Sequence, residues 1–136
     1  LPELHELALA GTGNGELRDF KGDELVLSVA GTGDIVASGL ELNRLEGNIA
    51  GLGNLDLGEG SVRAMELNIA GSGGVLGARL LSQEAEVNIA GSGEVELRVQ
   101  ERLKIEIAGA GSVNYWGDPE LKSEIAGSGQ VSRLGS

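Results

Sequence analysis

Seven copies of Ala-Gly-x-Gly begin at Ala10, Ala30, Ala50, Ala70, Ala90, Ala108 and Ala126. Glycines so spaced cradle phosphates when they join a strand to a helix as G-x-G-x-x-G or G-x-x-x-x-G-K-[ST]. Neither pattern is completed here, because the third glycine is missing and no Gly-Lys-Ser/Thr follows any of the glycine pairs. Calcium-binding nonapeptide rolls carry an aspartate in rows of similar glycines. Only Asp34 follows a Gly-x-Gly directly; the other rows place Asn14, Asn54, Gly74, Glu94, Ser112 and Gln130 there, an irregular oxygen set for a hard cation. His5 is the only histidine and cysteine is absent, which excludes thiol nucleophiles and zinc knuckles. Carboxylate chemistry of the kind used on acidic polysaccharides would fall to Glu94 and Glu96 with Arg98 and Arg102. Such sites need long loops to wall a cleft, and this sequence has no room for them. No catalytic residue, cofactor site or metal site is assigned. One locus stands out: Tyr115 and Trp116, two of the three aromatics, sit beside Gly117-Asp118-Pro119. Tyr115, Trp116 and Asp118 are the candidate contacts for a glycan or protein, and the same residues also read as a cap over a thinning core.

The elements that position these residues follow from the glycine motif, which recurs at successive intervals of 20, 20, 20, 20, 18 and 18 along the chain. The rows are therefore 1–20, 21–40, 41–60, 61–80, 81–100, 101–118 and 119–136, in one domain. Immediately before each Ala stand Leu9, Val29, Ile49, Ile69, Ile89, Ile107 and Ile125. Two residues earlier stand Leu7, Leu27, Gly47, Leu67, Val87, Ile105 and Ser123. Polar residues such as Asn48, Asn68 and Asn88 fall between these columns. Alternation with period two is a strand with one buried face. A second alternating stretch follows each glycine pair, as in Glu94-Val95-Glu96-Leu97-Arg98-Val99.

One row cannot bury its own apolar face, so rows must stack. Strands that recur in the same direction pair in parallel, about 4.8 Å apart. The fold class is all-β, a single-stranded parallel β-helix (β-solenoid) of about seven coils of 18–20 residues. Glycine at the row corners permits a tight turn, and Ala can recur in every layer; the same side-chain-poor strip could instead be a flat face for another solenoid. Asn48, Asn68 and Asn88 read as a stacked amide ladder. Beside them Glu46, Glu66 and Glu86 form a column that Lys104 and Lys122 continue, with Glu86 expected to pair with Lys104.

Composition agrees with this plan. Glycine reaches 24 of 136 residues, and Phe, Tyr and Trp occur once each, while apolar residues still make up 40%. Such a core must be built from aliphatic ladders. A net charge of −11 argues against nucleic acid and anionic membranes as partners. No apolar run approaches the ~20 residues of a membrane-spanning helix. The sequence opens on Leu1-Pro2 without an initiator Met or leader, and reads as a processed or excised segment.

The tandem rows closed by Gly111-Ser112-Val113-Asn114-Tyr115-Trp116-Gly117-Asp118-Pro119 and Ile125-Ala126-Gly127-Ser128-Gly129 resemble the bacterial head-GIN-domain family of autotransporter adhesins. The resemblance spans the whole chain, and the Tyr-x-Gly-x-Pro stretch is its most specific part. It implies a right-handed parallel β-helix and an extracellular or cell-envelope location, and it carries no catalytic residues. Family members usually have a further N-terminal β segment, and many have Ser where this chain has Ala before the glycine pair. The expected function is a non-enzymatic structural or adhesive module. The alternatives are a filament subunit stacking end to end and a carbohydrate-binding module centred on Trp116. Self-association is expected through the solenoid ends, where Leu4, Leu7 and Leu9 begin the first row, or through the Gly-rich face.

Overall fold

A computed structural model describes the backbone of residues 4–135 and the side chains of Ala8 and of residues 11–135. The side chains of Leu4, His5, Leu7 and Leu9, where self-association through the solenoid end was expected, therefore lie outside the described residues. Twelve strands make up the fold: β1 (Leu4–Gly11), β2 (Asn14–Arg18), β3 (Lys21–Gly31), β4 (Asp34–Ser38), β5 (Leu40–Gly51) and β6 (Asn54–Leu57), followed by β7 (Gly60–Gly71), β8 (Gly74–Gly91), β9 (Glu94–Gly109), β10 (Ser112–Trp116), β11 (Glu120–Gly127) and β12 (Gln130–Gly135). No helix occurs among the described residues.

Every pairing is parallel and, through most of the chain, joins equivalent positions of successive rows, as Ile49 with Ile69 and Ile69 with Ile89. The long face runs through β1, β3, β5, β7 and the C-terminal parts of β8 and β9 to β11. The second face runs through β2, β4, β6, the N-terminal parts of β8 and β9, then β10 and β12. The all-β parallel solenoid expected from the rows is the fold observed. The coil count is slightly lower: seven rungs make about six turns, not seven, because a turn closes only when the chain returns to its starting face one rung on.

Inward columns form the core. Val29, Ile49, Ile69, Ile89 and Ile107 stack at 2–3% exposure, and Ile35, Leu55, Val75, Val95 and Val113 stack opposite them at 0–1%. One column alternates in size through Ala37, Leu57, Gly77 and Leu97 before it ends on Tyr115. Gly47 breaks the Leu27–Leu67 column, and its space is taken up by neighbours. A Cβ there would lie 2.8 Å from Leu55 Cδ1 and 2.9 Å from Leu67 Cδ2. The core thus reaches tight packing by alternating large and small side chains between rungs, as close-packed interiors require.

The glycine pair makes the corner between the two faces. Gly31, Gly51, Gly71, Gly91, Gly109 and Gly127 all have positive φ, from 111° to 128°. The next residue's N–H donates to the carbonyl of the glycine one rung back, at 2.8–3.0 Å from Thr32 to Ser128. The parallel ladder therefore continues round the bend without a break. The rows shorten at one place, where the pairing shifts between Gly77 and Leu81 and again between Ser82 and Glu84. Ser82, fully buried there, donates its hydroxyl to the Arg98 carbonyl at 2.8 Å, so the shortened corner leaves no buried polar group unpaired.

The last rung differs. All of β11 is exposed, with Leu121 at 39% and Ile125 at 41%, against 1% and 2% for Leu103 and Ile107 one rung earlier.

Candidate interaction surface

The aromatic locus is built by β10 and the turn after it. Val113 and Tyr115 point inward by strand alternation, and Tyr115 is 7% exposed. Trp116 faces outward, yet it is only half-exposed. The Arg98 guanidinium lies 5.4 Å above its ring, and the ring packs against Gly135, where a Cβ would meet Trp116 Cζ3 at 2.8 Å. Arg133 reaches across from β12, donating from Nε to the Gly117 carbonyl at 2.6 Å, and its guanidinium lies 4.0 Å from the exposed Asp118 carboxylate. Of the three candidate contacts, Asp118 is open to solvent, Trp116 is partly covered, and Tyr115 belongs to the core. Trp116→Ala should lower stability by about 1–2 kcal/mol, the sum of a lost cation–π contact and a bared rung, as read from the urea midpoint. An unchanged midpoint would mean that the ring closes nothing.

Glu94, Glu96, Arg98 and Arg102 do not converge. Glu94 and Glu96 line a shallow hollow on the second face with Asp34 and Asp56. Arg98 is held over Trp116 and donates from Nε to the Ala78 carbonyl at 3.0 Å. Arg102 lies beyond the bend, paired with Glu84 at 3.0 Å on the long face. Among the described residues no three His, Cys, Asp or Glu side chains could hold a metal together, and no helix is long and apolar enough to cross a membrane.

The asparagine column on the long face forms the expected ladder. Asn68 donates to Asn48 Oδ1 and Asn88 to Asn68 Oδ1, each at 3.0 Å. Each amide also donates to the carboxylate two residues before it, Asn48 to Glu46, Asn68 to Glu66 and Asn88 to Glu86, at 2.9–3.3 Å. The stacked glutamates are thereby held by amide donors within their own rungs. The pairing expected between Glu86 and Lys104 is not among the ion pairs of the described residues, since Asn88 holds Glu86 instead. Asn68→Asp removes both donated bonds and sets a carboxylate beside Glu66. A loss of about 2–3 kcal/mol at neutral pH is expected. Repulsion would raise the new carboxyl's folded-state pKa, so the loss should shrink as pH falls toward the ordinary carboxylate range near 4, measured by urea unfolding at pH 7 and pH 4.

A second ladder was hidden in the residues weighed for calcium. Asn14 Oδ1 accepts from the Asp34 N–H, Asp34 Oδ1 from the Asn54 N–H, and Asn54 Oδ1 from the Gly74 N–H, at 3.0–3.2 Å. These side chains cap backbone donors of the next rung as each strand leaves the corner. The sequence signal was a short Asx residue directly after Gly-x-Gly, a type suited to side-chain-to-backbone bonds.

A groove runs along the long face from Ala8 to Ala126, with a volume of about 950 Å³. Its apolar lining is the alanine column, exposed in every described rung from Ala30 to Ala126, and Asn48, Asn68 and Asn88 form its polar flank. The groove exists because alanine is the only outward side chain between the asparagine column and the glycine corner.

This geometry agrees with comparisons to known proteins. The family model "Putative auto-transporter adhesin, head GIN domain" matches residues 1–119. A search of curated proteins finds no match. Among solved structures, a "putative lipid binding protein" from Parabacteroides distasonis ATCC 8503 is 34% identical with a TM-score of 0.91, over 96% of this chain and 55% of its own. A "putative adhesin" from the same organism is 23% identical with a TM-score of 0.90, over 96% of this chain and 56% of its own. A "putative adhesin" from Parabacteroides merdae ATCC 43184 is 19% identical with a TM-score of 0.83, over 97% of this chain and 63% of its own. These last two likenesses show the fold alone. The chain spans just over half the length of the two P. distasonis proteins. With a parallel β-solenoid built on the glycine corner and a family match over residues 1–119, the chain belongs to the "Putative auto-transporter adhesin, head GIN domain" family.

Proposed function

We propose that the chain is a non-enzymatic adhesive module of the bacterial cell envelope or of secreted material, a rigid rod that presents one repeated surface. The observation that carries this reading is the continuous groove of the long face, where alanine recurs rung after rung beside a polar column that is asparagine at 48, 68 and 88. A surface of this kind suits an extended partner better than a small substrate, because the same contacts repeat about every 4.8 Å. Family membership supports an adhesin-like role and a surface or envelope location. Short turns between the described strands leave no walled cleft among the described residues, which favours the non-enzymatic part of the reading.

The "putative lipid binding protein" at 34% identity favours a second reading, in which the apolar floor of the groove takes an acyl chain. Beads coated with the chain test both, using flow over immobilised matrix proteins, a glycan array and phosphatidylcholine vesicles. Retention on protein or glycan that falls after Ala70→Asp and Ala90→Asp supports the adhesive reading. Retention on vesicles alone replaces it with the second, and no retention anywhere overturns both.

A further inference from the structure

The outward columns of the long face carry a charge pattern that reverses along the solenoid. Row by row they read Ala64-Glu66-Asn68-Ala70, Glu84-Glu86-Asn88-Ala90, Arg102-Lys104-Glu106-Ala108 and Glu120-Lys122-Glu124-Ala126. The charge of the second column reverses halfway, from Glu66 and Glu86 to Lys104 and Lys122, while the alanine column stays constant. Lys104 and Lys122 pair in register on adjacent strands, and neither is in an ion pair among the described residues. Like charges directly opposite on neighbouring strands are unfavourable, so the Lys104–Lys122 column favours an added carboxylate even with Glu106, Glu120 and Glu124 in the flanking columns.

We propose that this face binds a second copy of the chain, antiparallel, about a two-fold axis that lies along the strand direction between the rungs of Asn88 and Glu106. The proposal rests on the adhesive reading and names the partner. The axis preserves columns and inverts rows. Glu86 then meets the second copy's Lys104, and Glu66, already paired with Arg44 at 3.3 Å, meets its Lys122. Glu84, already paired with Arg102 at 3.0 Å, meets a second Arg102. The asparagine amides at 88 and 68 meet the carboxylates at 106 and 124, and alanine meets alanine along the groove. A parallel pairing, with the axis along the solenoid, instead brings Glu66 and Glu86 toward their own copies and Lys104 and Lys122 toward theirs. The charge reversal selects the antiparallel form, and the alanine column lets the two backbones approach. An isologous contact of this kind closes on itself and gives a dimer, not a filament.

Four overlapping rungs cover roughly 450 Å² per copy at ordinary strand and rung spacings. That is below the ~800 Å² per partner of a stable complex, so the dimer is weak and is sought at protein concentrations up to about 1 mM. An ionic strength near 0.15 M is suitable, because a Debye length of about 8 Å mutes the mutual repulsion of two chains at −11 while leaving contacting pairs intact. Sedimentation equilibrium should show a monomer–dimer equilibrium. Lys104→Glu with Lys122→Glu should weaken it at least about tenfold, the effect of losing roughly 1.4 kcal/mol. Glu66→Lys with Glu86→Lys should do the same, and mixing the two variants should restore dimers. Register is read by disulfide formation. Ala70→Cys mixed with Ala126→Cys should cross-link, whereas either alone should not, since its two copies lie three rungs, about 14 Å, apart along the axis. All these side chains are at the surface, and circular dichroism confirms that each variant folds. A monomer at every concentration, a dimer indifferent to both charge reversals, or rods longer than two molecules would overturn the proposal. Retention of the coated beads on foreign surfaces would survive that result, so the adhesive reading stands or falls separately.

Discussion

Gly71→Ala should destabilise the chain by at least about 3 kcal/mol and lower its Tm by roughly 10 °C, whereas Gly74→Ala should cost no more than about 1 kcal/mol. The two glycines flank the same corner. Gly71 has a φ of 123°, and a Cβ on it would sit 2.5 Å from the Gly51 carbonyl oxygen. That oxygen is the acceptor for the Ser72 N–H, so the clash falls on the corner ladder itself. Positive φ in a residue with a side chain costs about 1–3 kcal/mol, and displacing the rung adds to it. In a small domain, each kcal/mol moves Tm by a few degrees. A Cβ on Gly74 would lie 3.2 Å from the Glu94 carbonyl oxygen and 3.3 Å from Asn54 Oδ1, contacts that a shift of a few tenths of an ångström relieves, and the residue needs no positive φ. A less flexible unfolded chain offsets part of that cost. Thermal melting of the two variants checks the contrast, and equal losses at both sites would show that the corner is not what constrains glycine.

The second large effect is in the core. Leu67→Ala should cost about 3–5 kcal/mol, near the top of the range for buried leucine. Leu67 is 1% exposed and occupies two rungs' worth of space, because its Cδ2 extends into the volume left by Gly47. Truncating it opens a cavity that neither rung can fill. Gly47→Ala in the native chain should cost about 1–3 kcal/mol by overpacking against Leu55 and Leu67. Combined with Leu67→Ala, the same substitution should become favourable, because the new methyl enters the cavity. Urea denaturation of the double-mutant cycle should give a coupling of at least about 1 kcal/mol. Additive losses would mean that the two positions pack independently.

Much of this architecture was legible in the residues. The motif spacing set the row length, the alternation around Ile49, Ile69 and Ile89 marked the buried face, and the asparagine column announced its ladder. All three are local or periodic features, and a parallel stack converts equal spacing in sequence directly into contact in space. The aromatic locus was legible only in part. Strand alternation correctly turned Tyr115 inward. It could not show that Arg98, one rung earlier, covers Trp116, because that contact depends on how the side chains of two rungs lean together. The Asx residues at 14, 34 and 54 were visible and set aside as cation ligands, but nothing local showed that their oxygens accept from backbone donors of the next rung.

The sequence alone determined the fold class, the rung spacing and the place of each column, because glycine, alanine and aliphatic residues each recur where only that backbone or burial is tolerated. Tertiary structure decided which outward columns share one surface. The alanine groove, the amide ladder and the Glu66–Glu86 to Lys104–Lys122 reversal lie on the same long face because successive rows are stacked in register. The physical reason is that each row supplies only one side chain to each column. A surface property such as a groove or a charge gradient comes into being only when hydrogen-bonded stacking sums those single contributions along the axis.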